Sequence, residues 1–370
     1  MKKLNAFFKK VFSFVMQLMI GVLVGWFGIG LIAVPDDTSV GLIFIVTVLG
    51  LVGSFILGVM VHELGHLVFG LATGYKFSLF RLFSFAWFKE EDKIKLTISK
   101  NFALGQCVLA PAARFEDFKF ILYHLGGVLA QLLLCVLLFV FAMLTPADSL
   151  FRWILLLAIF LNVCLALLNL IPIKSMEAPN DCANIIEALK SKEATYALYM
   201  MFDVHHQMMN GKIISDFELE TFRLSEHADL KNYLVAYLLM LRVSWFVASD
   251  EYEKALAELL SLDLEKLPNY YRDVIMMDLV YFYTVYVPDY VKAKLLYEDK
   301  RLQAKWKVKL PSIFRISAAY HYFILEDKQA TMSLLAAAKG AVTSLPNQGE
   351  KKMETAELEK LEQQMSGVVG

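Results

Sequence analysis

Cysteine, net charge and polar residues at membrane depth are all scarce in this chain, and each scarcity closes off a class of protein. There are four cysteines, Cys107, Cys135, Cys164 and Cys182. None is spaced as CxxC, and Cys135 and Cys164 fall inside apolar runs, so a disulfide framework is not expected. The formal net charge of -1 leaves no electrostatic case for nucleic acid. The apolar stretch from Val11 to Val34 lacks a clean small-residue cleavage site and is too long for a signal-peptide core. It reads as a retained membrane span. Only Gln131 and Asn162 stand out as polar side chains near the midplane of a span, thin material for a transporter or an immunity-type binding protein.

What the chain has in excess is apolar residues, 58% of 370, with a mean hydropathy of +0.52. Soluble domains run nearer 45–50% apolar, as an order of magnitude. Spans are expected at Val11–Val34, Val40–Thr73, Phe120–Leu144 and Leu150–Ile171, with turns at Pro35-Asp36-Asp37 and Thr145-Pro146-Ala147-Asp148. Those turns carry no Lys or Arg. The N-terminal tail carries Lys2, Lys3, Lys9 and Lys10, and the segment between the second and third spans carries Lys76 through Lys119. The positive-inside rule then puts both termini and that segment in the cytoplasm of a multi-pass cell-membrane protein.

Near the far end of the second span stands His62-Glu63-Leu64-Gly65-His66, an HExxH pattern. Two imidazoles four residues apart on a helix project from one face, one turn apart, and both can reach one metal ion. Glu63 lies beside them, placed to take a proton from a metal-activated water. Ionisable residues at membrane depth are costly and default to function. A catalytic zinc site needs three protein ligands and one open position. The third is expected just after the fourth span, between Asn169 and Cys182. Asp181 and Glu177 are both candidates, and Asp181 would also suit a helix N-cap. Cys182 is better read as a small buried thiol. His124, at the entry of the third span, reads as an interfacial residue.

Between Tyr75 and Ala110 the pattern is not helical. Phe77, Leu79, Arg81 and Phe83 alternate with other residues, as do Ile94, Leu96 and Ile98. This predicts a β-hairpin turning at Lys89-Glu90-Glu91-Asp92-Lys93, with an edge to which an extended peptide could add. From Ala183 onward the chain is polar and helical. Glu251-Tyr252-Glu253-Lys254-Ala255 recurs 38 residues later as Asp289-Tyr290-Val291-Lys292-Ala293, with a fainter copy at Glu326–Ala330. That period fits a tetratricopeptide-like array. The fold class expected is mainly α: about four membrane helices, a short cytoplasmic hairpin and a C-terminal helical-repeat domain. The boundaries are 1–39 for the extra span, 40–190 for the membrane core with its hairpin at 75–110, and 191–370 for the repeats.

These motifs together resemble the site-2 protease family of intramembrane zinc metalloproteases. That family pairs HExxH in one core span with Asn-x-x-Pro and then Asp-Gly near the end of a third. The matching residues are His62, Glu63 and His66, then Asn169 and Pro172, then Asp181. Tyr123 to Gln131 resembles the Gly-rich start of the family's middle core span, with Gln131 where Asn is frequent. Phe102 to Cys107 resembles the hairpin end of a bacterial branch. The likeness covers about Val40 to Leu189. Asp181 is followed by Cys182 rather than Gly, and in the commonest family spacing the acid would fall at Glu177. Asn184 to Leu189 resembles the helix that follows the family's aspartate, which favours Asp181.

The resemblance implies a Zn2+ endopeptidase. Its ligands would be His62, His66 and Asp181, its general base Glu63, and Asn169 would hold the substrate backbone. Its substrates would be transmembrane or signal-peptide-like segments, since a spanning helix must unwind before its carbonyls can be attacked. The tail would recruit a protein partner. The alternative is a catalytically silent scaffold that only holds the tail at the lipid bilayer.

Overall fold

The computed structural model describes residues 38–90, 93–173 and 179–367, together with Gly21, Gly25 and Trp26. The span expected at Val11–Val34 therefore lies almost wholly outside the described residues, as does Glu177.

Three described helices are long and apolar enough to cross a membrane, and they mark the chain as a membrane protein. Helix α1 (Val40–Ala72) opens at Ser39, whose hydroxyl accepts the Leu42 N–H at 3.2 Å. It runs 33 residues, about 50 Å at 1.5 Å per residue, against a hydrocarbon core about 30 Å thick. His62 lies about 33 Å from its start, near the edge of that core. Helices α2 (Phe120–Leu144) and α3 (Leu150–Leu170) complete the bundle. Their outer faces are apolar and open; Leu49, Leu133 and Val136 are each more than half exposed. Between the helices lie small and polar residues, among them Thr47, Ser54, Gln131 and Asn162, all buried. A Cβ on Gly65 would stand 2.3 Å from the Gly126 carbonyl oxygen, so the α1 and α2 backbones touch there.

The predicted hairpin is present. β1 (Tyr75–Glu90) and β2 (Lys93–Pro111) pair antiparallel, from Tyr75 opposite Pro111 to Glu90 opposite Lys93. The register slips around Phe83, which has φ +54°, a bulge that bends the ladder. The base of the hairpin is buried against α1 and α2, with Tyr75 stacked on Tyr123 at 4.9 Å and Leu109 fully buried. Its far half leaves Phe85, Ile94, Leu96 and Ile98 exposed.

After α3 a short helix, α4 (Asp181–Ala188), restarts the chain, followed by α5 (Lys192–Met209). Three consecutive pairs come next: α6 (Tyr233–Ala248) with α7 (Tyr252–Leu260), α8 (Asn269–Tyr281) with α9 (Tyr290–Tyr297), and α10 (Pro311–Phe323) with α11 (Lys328–Thr343). The three copies of the sequence echo fall at the starts of α7, α9 and α11, where Glu251, Asp289 and Asp327 occupy the N-cap. The last helix, α12 (Gln348–Met365), folds back across the tail. Lys352 Nζ donates to the Gly211 carbonyl at 2.7 Å, Arg315 Nε to Glu354 at 3.1 Å, and Lys360 Nζ to Asp250 at 2.5 Å. One hydrophobic cluster contains Leu109 and Tyr123 from the membrane part and Leu198, Phe202 and Leu238 from the tail. Packing is thus continuous across the boundary expected at 190.

Candidate metal centre

Helix α1 supplies the first two groups because its register, four residues at 3.6 per turn, stacks His62 above His66. Their Nε2 atoms are 3.0 Å apart with the rings edge-on, and both side chains are buried. Asp181, the first residue of α4, brings Oδ2 to 3.3 Å from His62 Nε2 and 3.2 Å from His66 Nε2. Four-coordinate zinc with bonds of about 2.0–2.1 Å has donor atoms about 3.3 Å apart. The three separations fit that ion, and among the described residues this is the group of side chains able to hold a metal.

Each donor's other heteroatom is occupied. His62 Nδ1 meets Gln131 Oε1 at 3.2 Å, His66 Nδ1 meets the Tyr123 carbonyl at 2.8 Å, and Asp181 Oδ1 meets His124 Nδ1 at 3.1 Å. With both imidazoles donating through Nδ1, each Nε2 presents a lone pair to the common centre. Such outer partners fix tautomer and ring orientation.

Asp181 is free for this role because it does not cap its own helix. Asn180 does, its Oδ1 accepting the Ala183 N–H at 3.1 Å while its Nδ2 donates to the carbonyls of Leu168 and Ile171 at 3.1 and 2.7 Å. The capping role considered for Asp181 thus belongs to its neighbour, which also ties α4 to the end of α3. His124 is corrected too: it is 3% exposed and bound to Asp181 rather than interfacial. Asn169 lines the same cavity as the cluster, with its Nδ2 returned to the Leu165 carbonyl at 3.1 Å. Val68 and Leu71 face outward, whereas Leu67 packs on the core. Cys182 is partly buried and outside the cluster. Cys107 lines the cavity, but burial, with Glu63 and Asp181 adding, pushes its thiol far above its ordinary value, so it is no thiolate ligand.

Two glycines make room for these side chains. A Cβ on Gly127 would lie 2.5 Å from the His62 ring, and one on Gly105 of β2 would lie 2.5 Å from Glu63 Oε1. The hairpin is therefore drawn directly over the Glu63 carboxylate. From His62, Glu63, His66 and Asp181 a cavity of about 950 Å³ runs on between the membrane part and the tail, lined farther out by α5, α6, α8 and α12.

Against protein-family models, curated proteins and solved structures, the chain has no match.

Sequence reasoning singled out His62, Glu63, His66 and Asp181, and the structure brings them to one cavity. It missed Asn180 and gave His124 and Gln131 no partner. The only available signals were an Asn immediately before the aspartate and a polar side chain seven residues along α2 from a histidine.

Proposed function

We propose that the chain is an intramembrane zinc endopeptidase that hydrolyses peptide bonds in membrane-spanning or signal-peptide-like segments. The observation that carries this reading is the convergence of two imidazole nitrogens and one carboxylate oxygen at zinc-ligand separations, 3.0–3.3 Å, with Glu63 beside them in the same cavity. The resemblance to site-2 proteases, carried partly by the same residues, points the same way.

A bound zinc ion would supply an acidified water and a Lewis acid for the scissile carbonyl. The chain's own residues do the rest. His62, His66 and Asp181 hold the ion, and Gln131, the Tyr123 carbonyl and His124 hold the ligands in orientation. Glu63 accepts a proton on its carboxylate and returns it to the leaving amine. Asn169, at the cavity wall, steadies the unwound substrate backbone. An extended substrate adding along β2 passes Gly105 and therefore Glu63. The site opens to the cytoplasm, with both termini on that side, and the helix pairs of the tail form a tetratricopeptide-like unit.

The test is Glu63→Ala in the full chain, with a coexpressed transmembrane substrate. Cleavage is expected to fall about 10²- to 10⁴-fold, the usual contribution of a positioned base, while bound zinc stays stoichiometric. Unchanged cleavage removes the protease reading and leaves a membrane scaffold.

A further inference from the structure

The cavity does not end at the metal centre, and its charge is one-sided. No lysine or arginine is among its lining residues. Glu63 and Asp181 stand at the metal end, and Asp278, Glu350 and Glu354 line the part walled by the tail. Glu354 is paired with Arg315 at 3.1 Å. The side chains of Asp278 and Glu350 have no hydrogen bond or ion pair among the described residues. Burial pushes the Asp278 carboxyl up to about 7, opposed by Arg315 and reinforced by Glu354, and a cation brought beside it would favour its charged form. Tyr237 and Tyr271 stand in the same wall, and aromatic faces favour cations. Two ring nitrogens lining the chamber, His124 Nε2 and His205 Nε2, are buried without a partner, and His124 is 3% exposed as a residue. Such groups are costly unless something arrives to bond them.

A membrane-spanning segment brings its own chemistry to this place. Lys and Arg are enriched in the cytoplasmic flanks of such segments. A cleft lined by one sign of charge concentrates the opposite sign. At about 950 Å³ the chamber is at the upper end of the range for ligand pockets, roughly 300–1,000 Å³.

We infer that the tail-walled chamber receives the cationic cytoplasmic flank of the substrate's transmembrane segment, as an extended chain with Lys or Arg side chains set against Asp278 and Glu350. This rests on the peptidase reading for the identity of the occupant. It makes the tail part of the substrate site, over and above any partner the tail recruits.

The experiment uses the full chain carrying Glu63→Gln, in a non-ionic detergent, so that nothing is turned over. The probes are three labelled peptides that share one apolar transmembrane segment and differ in a four-residue flank of Lys, Ser or Glu. Binding is read by fluorescence anisotropy. The Lys-flanked peptide is expected to bind about tenfold or more tightly than the Glu-flanked one at low salt, and the difference to shrink as salt rises. Adding Asp278→Asn with Glu350→Gln abolishes the preference, and Asp278→Asn with Glu350→Lys, which leaves a net positive charge at the pair, reverses it. Equal binding of the three peptides, no binding of any, or a preference that survives both variants at unchanged zinc content overturns the assignment. Binding is measured without hydrolysis, so a flank preference that stands while the Glu63→Ala test fails removes the peptidase alone.

Discussion

At the scale of single residues, the centre is built from contacts that tolerate no added atoms. Gly127→Ala would drive a methyl group into the His62 ring, so zinc content should fall sharply while the helices persist, as read by metal analysis beside circular dichroism. Gly105→Ala displaces Glu63 instead, a flexible side chain. It should lower hydrolysis and leave bound zinc unchanged, and loss of zinc would show that Gly105 serves the ligands. Gln131→Ala and His124→Ala each remove one outer partner and should weaken zinc about 10- to 100-fold in a competition titration. His205 supplies a pH signature. Burial, with His206 adding, pushes it down to about 4, below its unfolded value near 6.5. The unfolded chain then binds more protons between those values, so stability is complete above about 6.5 and declines as pH falls toward 4. His205→Gln should flatten that part of a melting-temperature profile; an unaltered slope would assign the acid sensitivity elsewhere.

At the scale of elements, the short helix α4 decides whether the aspartate arrives. Asn180→Ala should cost about 1 kcal/mol as a lost cap. It should also release the tie to α3 and loosen zinc, since Asp181 is the next residue. A stability loss with unchanged zinc affinity would limit Asn180 to capping. The helices α1, α2 and α3 were legible because unbroken apolar runs with flanking turns are local signals. The hairpin was legible because its side chains alternate. Asp181 could be read as a candidate because a helix visibly restarts there after Pro172. The tie from Asn180 back to Leu168 and Ile171 was not legible, since a cap and a cross-link are written with the same residue. Nor was the burial of His124, which depends on α4 folding over the start of α2 from 57 positions away.

At the scale of the whole molecule, the sequence echo located three helix starts but not how the tail closes. A nearest-neighbour array would unfold repeat by repeat. Here α12 reaches the turn after α5 through Lys352 and the α6–α7 turn through Lys360, and it contributes Glu350 and Glu354 to the chamber wall. Removing residues 348–370 should therefore convert a single cooperative melt of the tail into a broad one and abolish the flank preference. A sharp melt with the preference intact would make α12 an appendage.

The two imidazoles belong to a helix apolar enough to cross a membrane, and the carboxylate belongs to the first residue of α4, beyond the end of α3. An ion held by all three would act as a rivet between the greasy half of the molecule and the wet half. Stripping it with a chelator should be felt far from the ion, as trypsin gaining access to lysines of α5 and the helices that hang from it, and refilling the site with zinc should restore their protection.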